Sequence, residues 1–284
     1  MNWPELTLLL AWPAALVLPA LPFWQAISRL ADRLAAKVNK GEPRQRRLAG
    51  VLAFILLWGS LALLAALLFY SAELPLVIQG LAFYLAFSDP RPAKLSAVES
   101  LAKAPARELL GSVLKRNCSR YSQEGLYKAT IEGRWRVTKE RLLLVVLLAF
   151  GAGLPAFLIR AWWVIGDRWH PARTGFGDFG KALVPIAWLC RALGAPLALF
   201  WTVLALKPSA LFSREKPRQM AMLATALGCQ LGGPLLIGGH KISRERVGPG
   251  QPADAATLRR LRILAMGGES ATFLLVALAL VLVH

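Results

Sequence analysis

Seven residues of this 284-residue chain have types and surroundings that could do chemistry: Arg107, Arg116, Glu132, Asp167, Gln230, Gly232 and Gly233. A guanidinium binds phosphate or carboxylate through two parallel hydrogen bonds, so Arg107 and Arg116 are candidate anion holders; a solvated or lipid-facing charge is the plainer reading. Glu132 lies four residues after Lys128, one helical turn, and shortly before Arg134 and Arg136, so an ordinary ion pair with one of these is its local explanation. Asp167 adjoins Arg168 and reads as half of a pair at a membrane interface. Gln230, Gly232 and Gly233 belong to LGCQLGGPLLIGG, residues 227–239, which places five glycines in an apolar run. Each glycine costs about 1 kcal/mol against alanine inside a helix. The expected structure is a helix over 220–231 that stops at Gly232–Gly233–Pro234, with either a close packing contact or a backbone turn at a ligand pocket as the reason. No metal site is expected: Cys118, Cys190 and Cys229 form no CxxC, and His170, His240 and His284 form no cluster.

These residues sit in an apolar and strongly basic chain. It is 56% hydrophobic with 34 Lys and Arg against 16 Asp and Glu, a net charge of +18, and its mean hydropathy is +0.48. Apolar runs separated by basic loops describe a multi-pass membrane protein. The basic residues are spread over several loops, which argues against a nucleic-acid-binding domain and leaves membrane lipid as the implied partner. Residues 48–70 carry no charge and are long enough to cross the hydrocarbon core. Residues 264–284, 141–165 (apolar over 142–159), 183–206 and the proline-interrupted 6–24 read as further spans, with 73–87 a short one. Arg191 is a charge within the 183–206 run, and such a charge is expensive in a bilayer. Trp162, Trp163 and Trp169 suit an interfacial belt.

The expected fold is therefore all-α: one polytopic domain over residues 1–284 with about six transmembrane helices and cytoplasmic helical loops at about 25–47, 89–140 and 207–263. The first loop holds seven Lys or Arg and the second eleven, and positive loops stay in the cytoplasm. Six crossings put both termini on the periplasmic side of an inner membrane and turn residues 166–182 outward.

Two stretches carry a family resemblance. ALGCQLGGP, residues 226–234, and ARELLGSVLKRN, residues 106–117, resemble motifs of the CobD/CbiB family, the membrane-bound adenosylcobinamide-phosphate synthases of cobalamin biosynthesis. The likeness continues through Ala129, Glu132, Thr138, Pro155, Asp167 and Phe176–Gly177 and covers roughly residues 100–280. It implies ATP-dependent amide formation between a corrinoid carboxylate and an aminopropanol unit. Magnesium and ATP would be the cofactors of an active enzyme, and a corrinoid a possible partner. On this resemblance Glu132 and Asp167 are the candidate catalytic residues; Arg107, Arg116, Gln230, Gly232 and Gly233 are the candidates for substrate binding.

The chain also departs from the family pattern. Asn117, Arg136, Val137, Val184, Pro185 and Glu215 stand where the pattern has aspartates, a glutamate and asparagines. Magnesium needs oxygen ligands, most of them carboxylates or phosphates, and Arg136 in place of an acid repels it. The resemblance thus implies either a divergent synthase or a non-catalytic membrane protein with a regulatory or scaffolding role. AmpE, a distant sibling of similar length that also lacks the synthase acids, exemplifies the second.

Overall fold

The structure, a computed structural model, describes residues 3–114, 117–148, 153–171, 173, 175–212, 218–237 and 240–283. The positions Arg116 and Glu215, and the side chain of Arg191, lie outside the described parts. The fold is all-α in class. Its helices are α1 (Trp3–Val17), α2 (Phe23–Val38), α3 (Pro43–Ser71), α4 (Pro75–Phe87), α5 (Arg91–Ala97), α6 (Lys103–Leu114), α7 (Gln123–Leu148), α8 (Gly153–Arg168), α9 (Val184–Leu193), α10 (Ala195–Leu206), α11 (Arg218–Leu227) and α12 (Ala255–Val283). Four very short strands lie between α11 and α12: β1 (Leu231–Gly232), β2 (Leu235–Ile237), β3 (His240–Ile242) and β4 (Arg246–Val247). The 207–263 segment is therefore not purely helical. Its β1 pairs antiparallel with β4, and β2 with β3.

Among the described residues two helices are long and apolar enough to cross a membrane: α3, whose most apolar window has mean hydropathy 2.6, and α12 over Ala255–Ala279, at 1.5. Only 17% of the α3 window is buried. Leu52, Ile55, Leu56, Leu63, Leu64 and Leu67 are all more than half exposed along it. An apolar helix left that bare has lipid as its natural solvent.

Two of the other expected spans are interrupted. The 6–24 run ends α1 at Val17 and restarts as α2 at Phe23, because Pro19 and Pro22 withhold backbone donors and push their predecessors out of helical geometry. The 183–206 run is split at Gly194, whose Cα packs so closely on the Lys139 carbonyl that a Cβ would lie 2.0 Å from that oxygen. Within the 141–165 run α7 is described to Leu148 and α8 from Gly153; residues 149–152 lie outside the described residues. α4 has thirteen residues, about 20 Å of helix, short of the ~30 Å hydrocarbon core.

The chain divides into two compact units. The first comprises Met1–Asp89, Leu144–Arg191 and Phe273–His284; the second comprises Pro90–Leu143 and Ala192–Thr272. In the first, α4 packs against α1 and α8, and α2 against α8 and α3. Trp12 stacks on Phe273 at 4.3 Å, and Trp24 meets Phe157 at 5.3 Å. Trp163 and Trp169 are buried, the latter edge-on to Phe179 with its indole N–H on the Ala31 carbonyl. These two belong to the core and not to an interfacial belt. An ion pair between Arg160 and Asp89, 3.1 Å, is buried on both sides.

Contacts in this unit place residues 166–182 beside the basic 25–47 segment. Arg47 donates to Asp178 at 3.0 Å, Arg168 to Asp32, and Asn39 to the Gly175 carbonyl at 2.8 Å. Residues 166–182 therefore lie at the same end of α3 as the basic 25–47 segment. A bilayer crossed by α3 has both on one side.

In the second unit, Ile131, Trp135 and Leu142 of α7 form one core with Ala221, Leu223 and Leu227 of α11, Leu231, Val247, and Leu258 and Leu261 of α12. A second cluster joins α5, α6 and α7 through Leu95, Leu110, Leu126 and Val137. Asp254 caps α12: its carboxylate accepts the Thr257 N–H at 2.7 Å and the Thr257 hydroxyl at 2.6 Å. Those two bonds hold its pKa below the ordinary aspartate value.

Candidate functional site

The glycine-rich segment earns its glycines one at a time. α11 ends at Leu227, four residues earlier than its apolar pattern predicts, because Gly228 takes φ +72° and closes a Schellman turn. In that turn Cys229 N–H returns to the Ala224 carbonyl at 3.0 Å and Gly228 N–H to Thr225 at 3.3 Å. Gly232 and Gly233 have φ +82° and +97°, but inside a strand pairing and the loop after it, not at a helix stop. A Cβ on Gly232 would sit 2.3 Å from the Glu245 carbonyl oxygen; on Gly233 the nearest atom would be 3.8 Å away. Gly232→Val meets both left-handed backbone strain and a backbone clash, whereas Gly233→Val meets only the first. Thermal unfolding in detergent should therefore rank Gly232→Val below Gly233→Val, and both below wild type. Equal stability of the two variants would contradict this packing.

The turn places its backbone on Glu132. The Glu132 carboxylate, from the middle of α7, accepts the Gly232 N–H at 3.3 Å. Arg244, just after β3, donates to both Glu132 oxygens at 2.9 Å and to the Gly233 carbonyl at 3.3 Å. One guanidinium nitrogen, Nη2, thus bridges both oxygens of a carboxylate side chain only 10% exposed, a charge-assisted contact. It ties α7 to the β2–β3 hairpin.

Beside this pair opens a cavity of about 420 Å³, lined by Asn117, Ser119, Arg120, Tyr121, Ser122, Glu124, Lys128, Glu132, Gly232, Gly233, Arg244 and Arg246 among others. Four cations face two carboxylates. Both carboxylates are engaged, Glu132 by Arg244 and Glu124 by Lys128 at 2.6 Å. Arg120 and Arg246 are exposed and have no ion-pair partner among the described residues. Asn117 spends its side-chain oxygen on Ser119, accepting the N–H at 2.9 Å and the hydroxyl at 2.7 Å.

The expected site residues divide. Glu132, Gly232 and Gly233 come together at the cavity. Gln230 stands one step back, its side-chain oxygen accepting from Lys128 at 3.4 Å. Arg107 does not line the cavity; it grips the Tyr121 carbonyl with two donors, at 2.9 and 2.5 Å, and so fixes the loop that does. Asp167 belongs to the first unit, near enough to Arg173 for their charges to interact. Its neighbour Arg168 pairs with Asp32. Arg120, Arg244 and Arg246 were missed, and no local spacing distinguishes them from the other basic residues. Cys229 is fully buried next to the site, and burial pushes its thiol up to about 11, so it is no nucleophile at neutral pH.

The residues do not fit a magnesium–ATP site. Hard cations need several free oxygen ligands, and both cavity carboxylates are bound to cations. Among the described residues no three His, Cys, Asp or Glu side chains gather. Comparison with protein-family models, with curated proteins and with solved structures gives no match.

Proposed function

We propose that this chain is a multi-pass inner-membrane protein that binds an anionic small molecule in the Glu132–Arg244 cavity without performing ligase chemistry. In this reading α3 and α12 are full crossings, and α1, α4, α8 and the α9–α10 pair supply the remaining apolar segments of an arrangement of about six. The basic end of α3 is cytoplasmic, and residues 166–182 share its side. The observation that carries the ligand reading is the pair Arg120 and Arg246, cationic, exposed and without acidic partners among the described residues, on a cavity that also presents the Ser122 hydroxyl. Guanidinium groups and hydroxyls are the donors that recognise phosphate and carboxylate. The CobD/CbiB resemblance suggests the ligand's chemistry: a phosphate ester such as aminopropanol phosphate, or a corrinoid carboxylate.

Titration of the purified chain in neutral detergent with aminopropanol phosphate tests this. Binding should weaken about tenfold or more in Arg246→Gln, since a hydrogen bond to a charged group contributes about 1.5–3 kcal/mol. Added magnesium should not strengthen it. Equal affinity of wild type and the Arg120→Gln/Arg246→Gln variant would remove the proposal.

A further inference from the structure

α2 carries an unusual stripe. Its buried face is Trp24, Ile27, Ala31 and Ala35. The opposite face presents Arg29, Arg33 and Lys37 at successive four-residue steps, all exposed. Like charges at that spacing repel and weaken a helix. No acid relieves them: Asp32 is held by Arg168, Asp178 by Arg47 and Arg46, and Glu42 forms the capping box of α3 with Gln45. Among the described residues Arg29, Arg33, Lys37, Lys40 and Arg44 have no ion-pair partner. An exposed row of like charges without counter-charge attracts an external anion.

The position of this row identifies the anion. Arg44 is one helical turn before Leu48 and two before Leu52, which are 60% and 65% exposed and begin the bare apolar face of α3. The cations end where the lipid-facing surface starts. That is the level of the headgroups in a bilayer crossed by α3, and basic clusters beside a crossing attract acidic lipid at about 1 kcal/mol per Lys or Arg. Contacts from Asp178 and Gly175 hold the α2–α3 corner in place, so the stripe is presented in a fixed geometry.

The geometry points to a binding site for acidic phospholipid headgroups at the α2–α3 corner, formed by Arg29, Arg33, Lys37, Lys40 and Arg44. It rests on the reading of α3 as a membrane crossing but is independent of the Glu132–Arg244 cavity. The site recognises charge in the leaflet, not a particular headgroup.

The test uses the full chain in neutral detergent, titrated with dioctanoyl phosphatidylglycerol, dioctanoyl phosphatidylcholine or inorganic phosphate, and read by thermal shift. Wild type should be stabilised by the glycerol lipid far more than by the choline lipid. In Arg29→Gln/Arg33→Gln/Lys37→Gln the apparent affinity for the glycerol lipid should fall about tenfold to 100-fold, with the unliganded unfolding temperature no lower than wild type. Glutamine preserves helix propensity at these exposed positions. An unchanged affinity in the variant, or no preference between the two lipids in wild type, overturns the site. Stabilisation by inorganic phosphate equal to that by the glycerol lipid overturns lipid as its occupant. A separate carbonate extraction distinguishes the deeper failure: release of the chain from phosphatidylcholine vesicles overturns the crossing itself.

Discussion

Glu269→Leu should destabilise the protein by about 3–5 kcal/mol, although it makes α12 more apolar. Glu269 lies within the apolar part of α12 and is paired with Arg141 of α7 at 2.9 Å, the two side chains 6% and 10% exposed. Removing one member leaves a guanidinium in a poorly solvated interior, and that uncompensated charge is the origin of the loss, not the missing attraction. The same reasoning says what rescues it. Arg141→Met/Glu269→Leu removes both charges and should recover most of the stability, since a well-packed apolar replacement of a buried pair is often neutral or better. Thermal unfolding in one detergent measures all three proteins, and Trp201 packs close to the pair. Trp201 donates its indole N–H to Thr272 at 2.9 Å, one turn beyond Glu269. A Glu269→Leu protein as stable as wild type would show that the carboxylate is neutral or hydrated where the structure pairs it.

This pair illustrates what a sequence can and cannot carry. α3 was legible because an uncharged run of that length has few alternatives, and the structure leaves its leucines bare. Glu269 is a charge in an apolar run, and its partner is 128 residues away. Glu132 was singled out, and its local spacing suggested Lys128, Arg134 or Arg136. The guanidinium it meets comes from Arg244, 112 residues on, brought there by a hairpin too short for hydrophobic periodicity to reveal. The glycines show the same division. Their density announced a special backbone, yet which glycine ends α11 depended on where a Schellman turn could close, and that is Gly228. Hydropathy registers an apolar run but not the break within it, as at Gly194 or between Pro19 and Pro22.

The second large expected effect is on turnover. On the proposed reading of the CobD/CbiB resemblance, the purified chain supplied with adenosylcobyric acid, aminopropanol phosphate, ATP and magnesium in lipid should form product at least 100- to 1,000-fold more slowly than an acid-complete CobD/CbiB synthase, the usual cost of losing one charge-stabilising group. The departures from the family pattern supply the starting point and the structure supplies the reasons. Asn117, where the CobD/CbiB pattern it resembles has an acid, turns its side chain back onto Ser119. Arg136, where that pattern has another, pairs with the buried Glu140 at 3.2 Å, and Val137 packs in the α5–α7 core. Glu132, the acid that remains at the cavity, is bound on both oxygens by Arg244. Freeing it for a metal would leave Arg244 in a site already rich in cations. Arg244→Ala therefore separates two explanations. If Arg244 alone suppresses a latent synthase, the variant gains magnesium-dependent product formation; if the remaining acids are too few, it gains none and loses the hairpin anchor. The second outcome is expected. Product from the unaltered chain at a rate comparable to an acid-complete CobD/CbiB synthase would show that Glu132 leaves Arg244 during turnover, and that the pair is a resting state and not a structural clasp.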